Sequence, residues 1–236
     1  MTMNKHLLLS ICVVLFFACK REVITPQKNT NLGYDFYPVH IGHRTIYDVE
    51  RIVIDAPVSR FDTTHYQLKE VISDTFLIIS KDEIVYILKR FTRDKNDTSW
   101  RESNQWTITK SNSFLVRTEE NIPYISLVFP PELNKQWDRN ARNTLGYHPS
   151  QITSFNVPDT IGTNIFDSTL TVMVRDDENL VNKQHESYVY ARGVGLVAKT
   201  YINIESQSTK TKPVDISLPI MKRVTKGTIE TWFIHQ

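Results

Sequence analysis

The chain has 236 residues, with 28 Lys and Arg against 26 Asp and Glu and a formal charge of +2. With 40% apolar, 11% aromatic and 23% charged residues, the composition is that of a folded globular protein and excludes wholesale disorder, collagen and coiled coil. Balanced charge supplies no long-range field for a polyanion, so no nucleic acid partner is expected, and two cysteines cannot build a disulfide scaffold.

Met1 to Lys20 reads MTMNKHLLLSICVVLFFACK. Lys5 gives a positive start, and Leu7 to Ala18 form a run of 12 residues with Ser10 as its polar interruption. A helix of that length rises about 18 Å, short of the roughly 30 Å hydrocarbon core. Residues 1–18 therefore read as a signal peptide and not as a permanent span. Leu15-Phe16-Phe17-Ala18-Cys19 resembles a bacterial lipobox, with Phe16 where leucine is usual; relaxed lipoboxes of this kind are common in the Bacteroidetes. The resemblance implies that Cys19 becomes the first mature residue and carries acyl chains on its sulfur and amine. Several chains together anchor stably where one does not. Cys12 leaves with the signal, so Cys19 is the only cysteine of the mature chain. Lys20 follows it, and no Asp stands there to retain the protein at the inner membrane. By resemblance to enterobacterial sorting rules this favours the cell outer membrane, with the membrane face left open. The expected membrane contact is the N-terminal lipid anchor.

Residues 19–32 comprise the lipidated cysteine and a polar tether, REVITPQKNTNL from Arg21, without periodicity. Residues 33–236 read as one β-rich domain. Arg44 to Ile54 is rich in Ile, Val and Tyr, and Arg60 to Ser73 follows after the Ala56-Pro57 break. Thr75 to Ser80 and Glu83 to Thr92 flank Lys81-Asp82, which suits a tight turn. Trp100 to Ile108 alternates, with Trp100, Trp106 and Ile108 on the apolar face, and Phe166 to Val174 alternates likewise. That is the period of a half-buried antiparallel strand. Pro131 to Trp137 could form one short helical turn, since proline is accepted at the first helical position. No longer helical stripe occurs, and a parallel α/β sheet would need helices at regular intervals. The fold class is thus all-β: about ten antiparallel strands in a single strongly curved sheet or incomplete barrel, which limits exposed edges. A two-sheet sandwich is the second choice.

Chemistry-bearing patterns are few. His40 and His43 make an HxxH spacing around Gly42, and they are the candidate metal ligands. A metal wants at least a third ligand, and residues three apart on an extended chain face opposite ways unless Gly42 turns it. No metal and no cofactor is therefore expected. The acidic stretch Asp176-Asp177-Glu178-Asn179 lacks calcium-loop spacing and reads as a solvated turn. Asp62-Thr63-Thr64, Asp159-Thr160-Ile161 and Asp167-Ser168-Thr169 resemble the Bacteroidetes O-glycosylation triplet, which makes Thr63, Thr160 and Ser168 candidate acceptors. Trp106 and Trp232 fall within periodic strands and are expected in the core, while Trp100 and Tyr147 are the rings open to a carbohydrate or lipid platform. Nucleophile elbows, SxxK, HExxH and phosphate-binding loops are missing from the sequence, and no catalytic residue is assigned.

Three further segments carry a family resemblance. Tyr37-Pro38 through Tyr47-Asp48-Val49 resembles a YPxxxGxxxxYxV opening. Trp137 to Gly146 resembles WxGNAxNxxG, with Arg139 where glycine is usual. Tyr190 to Val197 resembles a YAxGVGLV hairpin, where Gly193 and Gly195 would serve a turn or bulge. Together they resemble the uncharacterised Bacteroidetes outer-membrane lipoproteins. The resemblance implies a half-barrel like those of envelope lipoprotein carriers, with an apolar concave face. The expected function is a non-catalytic cell-envelope lipoprotein that binds a lipid, glycan or protein; the alternatives are an envelope hydrolase acting on glycan or lipid and a metal-handling protein using His40 and His43.

Overall fold

The computed structural model describes residues 32–81, 83–207 and 213–235. Cys19, the signal segment and all of the tether but Leu32 lie outside the described residues. The strands are β1 (Arg44–Asp55), β2 (Arg60–Ile78), β3 (Glu83–Asp94), β4 (Arg101–Lys110), β5 (Phe114–Glu119), β6 (Ile122–Val128), β7 (Gln136–Asp138), β8 (Pro149–Ile161), β9 (Asn164–Glu178), β10 (Asn182–Ala191), β11 (Gly195–Glu205) and β12 (Lys226–Ile234). They make one antiparallel sheet in the order β6-β5-β4-β3-β2-β1-β12-β11-β10-β9-β8-β7. The two edges, β6 and β7, are consecutive in the chain, so the sheet curls round until its ends meet. The result is a barrel closed except for one unsealed seam, the incomplete barrel expected from the sequence and not the sandwich.

Contacts across the seam are sparse and specific. Ile125 N–H on β6 donates to the Arg139 carbonyl at 2.9 Å, Trp137 Nε1 donates to the Ile125 carbonyl at 2.9 Å, and Asn143 Nδ2 donates to the Pro123 carbonyl at 2.8 Å. The Trp137–Gly146 stretch is thus the clasp of the barrel. The helical turn expected over Pro131–Trp137 does not form. Asn134 takes φ +66°, and its N–H donates to the Ile152 carbonyl while Ile152 N–H donates to the Lys135 carbonyl. Those two bonds commit the backbone to the sheet before a helical turn can close, and β7 follows.

Alternation along the strands fills the interior. Tyr47, Leu68, Ile72, Ile108, Leu170 and Tyr190 are among the largest fully enclosed side chains, each contributing roughly 1.5–3 kcal/mol of burial free energy. Trp106 and Trp232 are buried as expected. The YAxGVGLV segment is the β10–β11 hairpin, with φ +75° at Gly193, φ +101° at Gly195 and a register shift at Val189/Tyr190. The glycines serve the turn, and the register shift leaves Val197 as the extra residue, up the strand from them.

One end of the barrel is plugged. The 3-10 turn Tyr34–Phe36 drives Phe36 into the core. Lys110 Nζ donates to the carbonyls of Tyr34 and Tyr37 at 2.6 and 2.7 Å, and Arg192 holds Asp35 through two bonds of 2.8 and 2.7 Å. The turns that follow β2, β4, β6, β8 and β10 share this plugged end, where β1 begins. The turns that follow β1, β3, β5, β7, β9 and β11 surround the open end.

Gly227 marks the tightest backbone approach in the sheet. Its φ is +136°, and a Cβ there would lie 2.2 Å from the Asn203 carbonyl oxygen and 2.6 Å from Ile204 Cα. Backbone cannot yield as a side-chain tip can. Gly227→Ala is expected to lose about 2 kcal/mol or more, read as a lower urea midpoint with an unchanged m-value.

Candidate functional site

On β10, Glu186, Tyr188 and Tyr190 alternate toward the interior. The ladder sets Tyr201 opposite Glu186 and Lys199 opposite Tyr188 on β11, and Arg175 opposite Glu186 on β9. From the other side of the seam come Glu119, Tyr124 and the loop after β7. These groups line a cleft of about 500 Å³ that also meets Arg139, Asn140, Tyr147 and His148. Its floor narrows to a pit of about 10 Å³ reaching Arg117, Tyr190 and Trp232, room for about one water. The cleft is built from residues at the open end, away from the plug.

The loop that forms one wall is tied down locally. Asp138 Oδ1 accepts from the N–H groups of Asn140 and His148, both at 2.9 Å. Asn140 Nδ2 donates to the Gly146 carbonyl at 2.8 Å, and Gly146 takes φ +83°. Arg139 N–H donates to the His148 carbonyl at 2.8 Å, while its own carbonyl takes the seam bond from Ile125. The clasp therefore sets the Arg139 backbone, and the side chain enters the cleft.

Arg139 is buried and lies between the rings of Tyr124, at 4.6 Å, and Tyr188, at 5.3 Å. Its polar contacts are long: Nη1 is 3.5 Å from Glu186 Oε1, and Nη2 donates to the Tyr188 hydroxyl at 3.4 Å. Burial opposes the charge, yet the oxygens of Tyr188 and Glu186 more than offset it and hold the guanidinium protonated. Burial pushes Tyr188 well above the usual phenol range. His148 is held below the ordinary histidine value, chiefly by burial and then by Arg175.

Beneath the cleft sits a buried ion cluster. Glu70, on the inward face of β2, accepts from Arg90 Nε at 3.1 Å and Arg117 Nη2 at 2.9 Å. Arg117 Nη1 donates to the Tyr37 hydroxyl at 3.1 Å, and burial pushes Tyr37 up to about 12. Arg90 stacks on Trp106 at 3.6 Å from the ring centre. Arg117 Nε is 3.1 Å from Glu119 Oε1, an ion-pair distance without hydrogen-bond alignment. Glu119 links this cluster to the cleft wall.

The residues singled out in the sequence are dispersed. Gly42, at φ +86°, does turn the chain between His40 and His43, whose ring centres lie 5.1 Å apart. His43 Nε2 is engaged at 3.1 Å with the Val194 carbonyl. Among the described residues, no group of three or more His, Cys, Asp and Glu is placed to hold a metal. Thr63 on β2 and Thr160 on β8 are exposed. Ser168 on β9 is half-buried, its hydroxyl donating to Asn156 Oδ1 at 2.8 Å and accepting from Arg192 Nε at 3.2 Å. The acidic stretch ends β9 at a hairpin turn, where Asn179 Oδ1 accepts from the N–H groups of Val181 and Asn182. Trp100 is half-buried under Lys69 and Arg93, whereas Tyr147, 75% exposed, stands on the cleft rim.

The concave face is apolar as expected but packed: its side chains and the buried Glu70 cluster fill the barrel, and the space left over at the seam is lined by charges and tyrosines. Sequence reading passed over Arg139, Arg175, Glu119, Glu186, Tyr188 and Lys199. The signals were an alternating Glu-x-Tyr-x-Tyr on β10, Lys-x-Tyr on β11, and an arginine at a motif position where glycine is usual.

No protein-family model matches the chain, and no curated protein matches it. Solved structures do. One, from Bacteroides fragilis, is described as an exported protein with a YmcC-like fold; it shows 9% identity and a TM-score of 0.41 over 85% of this chain and 99% of that one. Another, described as a lipoprotein of Parabacteroides distasonis, shows 11% identity and a TM-score of 0.35 over 85% of this chain and 98% of that one.

Proposed function

We propose that the protein is a non-catalytic lipoprotein of the cell envelope, anchored in the outer membrane through Cys19, and that it binds a glycan in the seam cleft. The observation that carries the binding reading is the lining: tyrosine faces beside a buried guanidinium with long internal contacts. Hydroxyl-rich ligands suit such a site, because ring faces cover their C–H surfaces while charged groups satisfy their oxygens. A lipid tail would need an apolar cavity, and the interior beneath the cleft has only a water-sized space. The anchoring reading is supported by the signal and lipobox pattern of residues 1–19.

Saturation-transfer NMR with neutral and uronic-acid oligosaccharides checks the ligand class, and the intact mass of detergent-extracted protein checks the acyl chains. Tyr147→Ala, which removes an exposed ring without touching the core, is expected to weaken binding about tenfold, a loss of about 1.4 kcal/mol. Binding of acyl chains but not sugars by the cleft would overturn the glycan reading. Turnover of the bound sugar would replace it with the hydrolase alternative.

A further inference from the structure

Two hairpins overhang the plugged end. β2 pairs with β1 as far as Val71 and Ile72 still bonds His43 and Gly42, so Ser73–Ile78 runs on beyond that neighbour, paired with β3. β9 likewise pairs with β10 only from Thr169, leaving Asn164–Ser168 projecting with β8. In the sheet order the two hairpins are separated by β1, β12, β11 and β10 on one side and by β4, β5, β6 and β7 on the other. They stand opposite one another around the barrel.

Each tip exposes apolar side chains beside a polar sequence, Lys81-Asp82-Glu83 on one and Gly162-Thr163-Asn164 on the other. Phe76 and Leu77 are neighbours on a strand, so their side chains leave opposite faces, yet both are exposed. Leu77 pairs across the hairpin with Ile84, which is exposed as well, and Ile79 at the turn is 87% exposed. On the other hairpin Ile165, beside the turn at Gly162, is 77% exposed. A four-residue apolar run, Phe76 to Ile79, with three of its four side chains exposed and Ile78 half-buried, is not accounted for by the barrel core. The open end also exposes apolar side chains, among them Val58, Phe61, Leu180, Val181, Ile216 and Leu218, but they are spread around separate connections and none lies in an apolar run on a strand.

The described chain enters at this same end, at Leu32, and Cys19 lies 13 residues earlier. Such a stretch spans at most about 45 Å fully extended. We propose that the β2–β3 and β8–β9 tips dip into the lipid interface as two shallow feet, turning the open end and its cleft away from the membrane. The proposal rests on lipidation of Cys19 for its orientation. Asp74, Asp159 and Asp167 sit a few residues up the same strands, which limits entry to the headgroup boundary, roughly 5–10 Å deep.

The test uses the full-length, lipidated protein in phosphatidylethanolamine and phosphatidylglycerol vesicles. Cys19 is blocked by its acyl chain, so Ile79→Cys, Ile165→Cys and, as control, Val58→Cys each offer one thiol for an environment-sensitive fluorophore. The expected result is blue-shifted emission at positions 79 and 165, quenched by lipids spin-labelled near the headgroup, with position 58 wet and unquenched. Wet labels at 79 and 165 on vesicle-bound protein overturn the feet and leave the anchor standing. Blue-shifted emission without lipid quenching identifies a second copy or another protein as the cover and overturns the lipid interface. Protein that stays free of vesicles and labels at Cys19 overturns anchor and feet together. Sugar found on Thr160, beside the β8–β9 tip, would exclude that hairpin from the interface.

Discussion

Glu70→Gln is expected to lose about 3–5 kcal/mol of stability, the range for removing one partner of a buried ion cluster. Glu70 is 4% exposed and faces two guanidiniums, at 3.1 and 2.9 Å. Glutamine keeps the shape and one acceptor but leaves Arg90 and Arg117 in the interior with Glu119 as the remaining nearby acid. Charge sets the size of the effect, so replacing all three, Glu70→Leu with Arg90→Met and Arg117→Met, should recover much of the loss. Urea titration of the two variants checks the pair of outcomes, and equal loss in both would show that volume and not charge governs the site. The pH dependence has a definite sign. Burial raises the Glu70 carboxyl, and Arg117 and Arg90 more than offset it, leaving it below its ordinary value. Its stabilisation is therefore complete above the unfolded glutamate value of about 4.3 and fades as pH falls through the lower folded value. The native protein should lose stability below about pH 4 more steeply than Glu70→Gln does.

The same cluster shows why part of the fold was legible in the sequence and part was not. Period-2 alternation in Trp100–Ile108 and Phe166–Val174 revealed buried strand faces, because apolar side chains must leave water wherever the sheet curves. Gly193 and Gly195 announced a turn or bulge and form the turn, because few other residues adopt their φ values cheaply. Pro131–Trp137 misled because local propensity favoured a helical turn, while the ladder to β8, a partner some fifteen residues away, decided the outcome. The cleft was hidden for a related reason. Arg139, Glu186 and Lys199 look like solvated strand or loop charges until closure of the sheet folds their face inward. A barrel of twelve strands brings β5, β6, β9, β10 and β11 round one seam, and no local window contains that juxtaposition. His40 and His43 show the converse: a pattern conspicuous in sequence whose turn-forming geometry serves a carbonyl contact at Val194.

Arg139→Met should abolish ligand binding in the cleft and change stability by no more than about 1 kcal/mol. The two parts of that expectation follow from one geometry. Methionine retains an apolar stem between Tyr124 and Tyr188, so packing survives, while the cost of burying a guanidinium disappears. What the arginine receives in return offsets that cost: contacts of 3.5 and 3.4 Å to Glu186 and Tyr188, at the long limit for hydrogen bonds, and the faces of Tyr124 and Tyr188. Glu186 keeps its bond from the Tyr188 hydroxyl, so the carboxylate retains a donor. A buried charge that adds little to the fold is better explained by what it does for a ligand than by what it does for the barrel. Thermal and urea unfolding measure the first quantity and ligand titration the second. A variant as unstable as Glu70→Gln would make Arg139 a structural ion partner. A variant with native affinity would remove the cleft from the account of what this protein binds.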